Sequence, residues 1–185
     1  DTTGALIVAK TPEVHAALSR QFADRVVKKE YWALVWGKPS KPSGQLLHTI
    51  SRSPRNRERF TVRSGRGKRR RALSSYSVLS YFDFVSLMAL FPLTGRTHQL
   101  RVQTASIGHP VVGDRLYGPK RVPFSKGGPR EFFEAIEGLE GQLLHARKVG
   151  FLHPFSSKML EIEAPLPFDF SLILGLLSLI EKGLS

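Results

Sequence analysis

A chain of 185 residues, 41% of them apolar, is long enough to bury one substantial core, and its 28 Lys and Arg against 15 Asp and Glu leave a net charge of +13. That surplus favours a polyanionic partner through counterion release and long-range steering, with nucleic acid ahead of an anionic membrane surface. With no cysteine there is no disulfide framework, thiolate zinc site or cysteine nucleophile.

In chain order, the sequence opens at Asp1 without a charged-then-apolar signal pattern, which reads as a processed or truncated piece. The apolar run ALIVA, residues 5 to 9, has strand length. Thr11-Pro12-Glu13 then supplies an N-cap, a first-turn proline and an acid at the positive end of the helix dipole. The spacing of Val14, Leu18 and Phe22 predicts a helix to about Asp24. Residues 31 to 35 read as a strand covered on both faces, because Tyr31, Ala33 and Val35 alternate with Trp32, Leu34 and Trp36. GKPSKPSG, residues 37 to 44, is a turn-rich connector.

Residues 52 to 71 hold ten Lys or Arg (52, 55, 57, 59, 63, 66 and 68 to 71) against one acid, Glu58. Like charges at this density repel unless phosphate neutralises them. Phe60, Thr61 and Val62, interleaved among them, predict a strand with a basic hairpin tip that grips RNA without reading its sequence. The candidate contacts are Arg52, Arg57, Arg59, Lys68, Arg69, Arg70 and Arg71. Two further strands, 73 to 82 and 84 to 93, form a hairpin with Asp83 at the reversal.

TGRTHQLR, residues 94 to 101, follows directly. Thr97 is the expected N-cap; Leu100, Ala105 and Ile107 point inward; Gly108 and Pro110 stop the helix. A helix start attracts anions, and Arg96 and Arg101 add fixed positive charge there, suited to phosphate or to a carboxylate that must stay ionised. His98 reads either as a base or as a hydrogen-bonded structural residue, and it joins Gln99 and Arg96 among the candidate RNA contacts. No histidine spacing, His145 and His153 included, resembles a metal cluster, so no metal is expected. Residues 143 to 151 and 159 to 164 read as strands, and the Leu-rich stretch 168 to 180 as a core helix too short to span a bilayer, which takes about 20 residues.

These residues carry a resemblance. TGRTHQLRVQTASIGHPVVGDRLYG, residues 94 to 118, resembles the signature of the RluA-type pseudouridine synthases, GRTHQ[IL]RVH followed by GHP[IV]xGDxxYG. LLHARKVGFLHPFSSKMLEIEAPLP, VVKKEYWALVWGKP and DTTGALIVAKT resemble other blocks of that family. Gln103 stands where the family usually has a His. The resemblance implies an α+β fold over residues 1 to 185: one catalytic domain with a mixed, mostly antiparallel sheet, flanking helices and a central RNA cleft. It also implies isomerisation of uridine in ribosomal or transfer RNA, without metal or organic cofactor. The target base is flipped out of its stack, and an aspartate is essential.

By the same resemblance Tyr31 packs against the flipped base, Arg101 pairs with the catalytic aspartate, and Arg96 and the basic hairpin serve RNA phosphate. In the family that aspartate stands three residues before the Thr of Thr-Ser-Gly. Thr2-Thr3-Gly4 occupies that place here, so the aspartate is expected two residues before Asp1, and Asp1 itself takes no catalytic role. The alternative is a non-catalytic RNA-binding relative that lacks it. A monomer in the cytoplasm or an organelle, with structured RNA as its partner and no membrane span, completes the expectation.

Overall fold

The computed structural model describes residues 2–54, 56–62, 66–119 and 129–183. Asp1, Arg55 and Arg63, which figured in the sequence reading, lie outside them. The strands are β1 (Thr3–Gly4), β2 (Lys28–Trp36), β3 (Ser43–Arg52), β4 (Phe60–Thr61), β5 (Arg66–Tyr81), β6 (Val85–Pro92), β7 (Leu144–Leu152) and β8 (Met159–Glu163). The helices are α1 (Pro12–Ala23), α2 (Gln99–Ser106), α3 (Arg130–Glu137) and α4 (Phe168–Glu181). All strands join one eight-stranded sheet in the order β1-β7-β2-β6-β5-β3-β4, with β8 also on β7. Among the described residues, only β1 against β7 is parallel. This is the mixed, mostly antiparallel α+β architecture that the resemblance implies.

β2 divides the core as its alternation requires. Leu34 and Trp36 enter a cluster with Phe84, Val85 and Leu87, covered by Phe132, Phe133 and Ile136 of α3 and Phe170, Ile173 and Leu177 of α4. Ala33 and Val35 enter a second cluster with Met88, Leu90 and Leu100 of α2. Helix α3 escaped the sequence reading despite its Phe132, Phe133 and Ile136 stripe, and so did β3. The fourteen-residue α4 packs as expected, and no helix among the described residues is long and apolar enough to cross a membrane.

Residues 5 to 9 are not the predicted strand. Their potential ladder partner is the edge of β7, but β8 occupies that edge from Lys148 to Leu152, so pairing ends at Gly4 apart from Ala5 N–H to Ala146 O (2.9 Å). Alternation survives without the ladder: Ala5, Ile7 and Ala9 pack inward, while Leu6 and Val8 are 85% and 73% exposed. Gly4 has φ +119°, and a Cβ there would lie 2.3 Å from Ala146 O, so the sharp entry from Thr2 into the sheet requires glycine.

Candidate active site

β6 ends at Pro92, and the chain turns through Thr94, Gly95 and Arg96 into α2. Two buried amides hold that turn. Gln99 Oε1 accepts from Thr94 Oγ1 (2.8 Å) and from the Arg96 N–H (3.0 Å), while its Nε2 donates to Leu73 O (3.2 Å) and Ser74 Oγ (2.9 Å). The Ser74 hydroxyl donates to Gln103 Oε1 (2.7 Å), and Gln103 Nε2 donates to Leu46 O (2.8 Å) and Ala72 O (3.3 Å). Gln99 and Gln103 are 4% and 0% exposed, and every buried amide atom has a partner, as burial demands. Gln99, expected among the RNA contacts, therefore has its amide committed to the fold and shapes the turn from beneath.

The N-cap is His98, not Thr97, and it has a left-handed backbone (φ 53°). Its ring is fixed by Tyr117, whose hydroxyl lies 3.0 Å from His98 Nδ1 and accepts the Phe60 N–H at 2.8 Å. The hydroxyl's own proton can serve Nδ1 of a neutral imidazole. Burial, reinforced by the Arg101 charge and opposed by Asp114, pushes the His98 pKa down and favours that state.

Arg101, in the first turn of α2, is held by a carboxylate that the sequence reading did not single out. Its Nε and Nη2 each donate to Asp114, to Oδ2 and Oδ1, at 2.7 Å. Asp114 Oδ1 also accepts the N–H groups of Leu116 and Tyr117 (both 2.9 Å), and the Asp114 side chain is fully buried. Burial alone would raise the Asp114 pKa; the Arg101 hydrogen bond, the two N–H groups and the Arg101 charge together lower it. The same hydrogen bond raises Arg101 against its own desolvation. Gly113 makes the approach possible: its φ is +78° and a Cβ would lie 2.6 Å from Gly141 O. The signal was present in VVGD, because a carboxylate placed straight after buried valines needs a cationic partner.

Arg101 Nη1 has no hydrogen-bond partner among the described residues, and the guanidinium lines a cleft of about 530 Å³ together with Thr2, Tyr31, Arg96, His98 and Gln142. Tyr31 stands on β2 opposite Leu90, on the face shared with Leu100; burial raises its pKa, so it is a neutral phenol at the cleft wall. The structure thus brings Tyr31, Arg96, His98 and Arg101 together. His145, by contrast, is buried between Thr3 Oγ1 (2.8 Å) and Ala164 O (3.3 Å) and stays structural.

The basic residues join this cleft through Gly95 and Arg96, which also line a groove of about 710 Å³ with Arg52, Arg57, Lys68, Arg70 and Phe60. β3, β4 and β5 form the predicted basic hairpin end, with Arg52 opposite Phe60 and Arg70 opposite Ile50. Strand alternation turns Lys68 and Arg70 towards the groove and Arg69 and Arg71 to the other face. Arg59 lies over the Tyr117 ring (5.4 Å) and Arg52 over Phe60 (5.6 Å), so aromatic faces position two of the cations.

The chain is similar to known proteins in sequence and fold. Residues 1–106 match the sequence profile of the family described as RNA pseudouridylate synthase. A Chlorobaculum parvum protein named "Uncharacterized RNA pseudouridine synthase" is 40% identical over 179 residues, covering 94% of this chain and 54% of that protein. The Zymomonas mobilis "Ribosomal large subunit pseudouridine synthase D" is 38% identical over 184 residues, covering 99% and 55%. The chain therefore spans about half the length of these relatives. The solved structure of human RNA pseudouridylate synthase domain containing 1 superposes with a TM-score of 0.69 at 31% identity, covering 87% of this chain and 63% of that one. That of domain containing 4, at 24% identity and a TM-score of 0.71 over 91% and 69% of the two chains, shares the fold. The chain belongs to the RluA-type RNA pseudouridine synthase family.

Proposed function

We propose that the protein carrying this chain isomerises uridine to pseudouridine in ribosomal RNA, with the flipped base in the Tyr31–Arg101 cleft and the flanking backbone on the basic groove. The observation that carries this reading is the continuity of the two through Gly95 and Arg96: a groove lined by Arg52, Arg57, Lys68 and Arg70 runs into a pocket walled by a phenol and an arginine. Base flipping needs that combination of stacking face and cationic track. Ribosomal RNA is favoured over transfer RNA by the names of relatives such as the Zymomonas mobilis protein.

In the reaction the C1′–N1 bond breaks, the base rotates, and a C1′–C5 bond forms; C5 gives up a proton and N1 gains one, so no atoms enter or leave overall. The carboxylate that drives it is assigned to the position two residues before Asp1. Thr2 and Arg101 line the same cleft, and a residue three positions before Thr2 lies at most about 10 Å along the chain from it, which supports that placement. Asp114, wrapped by four donors, is the anchor of Arg101 and not the reacting group.

The test is pseudouridine mapping on ribosomal RNA with three proteins: this chain, the chain extended upstream through an Arg-Leu-Asp-x segment, and the extended chain with Arg101→Ala. Only the second should make pseudouridine, and Tyr31→Ala in it should lower turnover by roughly tenfold or more through lost stacking. RNA binding without product in the extended chain would select the non-catalytic reading. Product from the unextended chain would overturn the placement of the carboxylate.

A further inference from the structure

The cleft has a second exit. β2 pairs with β6 only from Tyr31–Leu90 onward; upstream of that pair β2 keeps its ladder to β7 (Lys28 with Gly150, Lys29 with Val149) and parts from β6. A groove of about 360 Å³ opens in the gap, between the α1–β2 turn and the end of β6, and Lys29 and Pro92 line both it and the cleft. Its walls combine the cations Arg25, Lys28 and Lys29 with the apolar side chains of Phe91 and Leu93, which are 36% and 44% exposed, and the exposed amide of Gln45. None of the three cations forms a salt bridge among the described residues. Fixed positive charge beside an exposed aromatic face and an amide suits a nucleotide: phosphate, base face and base edge.

Arg25 supplies an independent observation. Helix α1 closes with Val26 N–H donating to Gln21 O (3.1 Å) and Arg25 N–H to Phe22 O (3.3 Å), which makes Arg25 the left-handed residue of a Schellman motif (φ 61°). Glycine is the residue of least cost there; an arginine in this conformation is strained, and its side chain lines the groove.

We propose that this groove is the second arm of the RNA path, binding the nucleotide that flanks the target uridine on the side away from the basic hairpin, with its base against Phe91 and its phosphates on Arg25 and Lys28. The assignment rests on the reading of the cleft as the uridine pocket. It makes the RNA cross the protein from the hairpin, over the Arg96 turn and the cleft, to the α1–β2 turn.

The test measures binding of this chain to a single-stranded RNA with one central uridine, and to two shortened RNAs that end at that uridine on its 5′ or its 3′ side. Arg25→Gly and Lys28→Ala should each weaken binding of the full RNA severalfold and lower the slope of log affinity against log salt by about 0.7. Phe91→Ala should weaken it roughly tenfold. All three effects should vanish on one shortened RNA and persist on the other. Arg25→Gly should leave the melting temperature unchanged or higher, which separates a binding role from a structural one.

If Arg25→Gly and Lys28→Ala bind the full RNA like the parent chain while Arg70→Ala binds it more weakly, the second arm is wrong and the cleft reading stands. Equal losses on both shortened RNAs would mark the two cations as contributors to the general field and also overturn it. If the parent chain shows no salt-dependent RNA binding, the cleft reading falls with it.

Discussion

Asp114 grips Arg101 through two parallel hydrogen bonds of 2.7 Å, one to Nε and one to Nη2, with the carboxylate fully buried and the guanidinium side chain 12% exposed. The pair fixes the plane of the guanidinium and leaves Nη1 outside the pair. Removing the charge from one partner strands the other. Asp114→Asn should therefore cost about 3–5 kcal/mol of stability, the range for breaking a buried pair. Urea unfolding of the two proteins measures it, and a loss below about 1 kcal/mol would show the pair to be dispensable.

The same pair sets an acid limit. Asp114 has a native pKa below its unfolded value of about 3.9, so the unfolded state binds more protons in that window. Its contribution is therefore full above about pH 4 and is lost as pH falls through the lower native value. Unfolding free energy should drop with acid over that window in the parent chain. In Asp114→Asn the drop should be smaller, as followed by denaturant titration at successive pH values.

Tyr117 ties the basic hairpin to α2, because its hydroxyl accepts from Phe60 N–H and partners His98. Tyr117→Phe keeps the ring between Arg59 and Arg101 but removes both bonds. We expect a loss of about 1–3 kcal/mol for the unpaired groups. Faster hydrogen exchange at the Phe60 amide and weaker RNA binding at unchanged salt slope should accompany it, since the cations stay but their platform loosens.

Gln103 sits where the family signature carries histidine, yet is fully buried with three partners. An imidazole offers one acceptor for Ser74 Oγ and one donor for Leu46 O, so Gln103→His should fold with little loss. Gln103→Leu leaves the Ser74 hydroxyl proton without its acceptor and takes a donor from Leu46 O and Ala72 O, which should cost about 1–3 kcal/mol in thermal or urea unfolding.

Much of the fold was legible in local pattern. The alternation of Tyr31 to Trp36 announced a strand buried on both faces, Thr11-Pro12-Glu13 announced α1, and Asp83 the β5–β6 reversal, because each is set by neighbours within a few residues. ALIVA failed as a strand for a non-local reason: β8, some 150 residues on, occupies the edge it would need. The site divides in the same way. Length and composition by themselves determined a basic chain with one core, TGRTHQLR an arginine-bearing turn, and the α+β fold came from the resemblance that the motifs carry. Only the tertiary structure decided what each polar side chain meets. Gln99 went into the core and Arg101 to Asp114, thirteen positions along the chain. Arg69 and Arg71 went to the face away from Lys68 and Arg70, and Arg25 and Phe91 came to share one groove. A residue's chemistry is carried by its type, but whether that chemistry faces water, a ligand or another side chain depends on partners that only folding brings near.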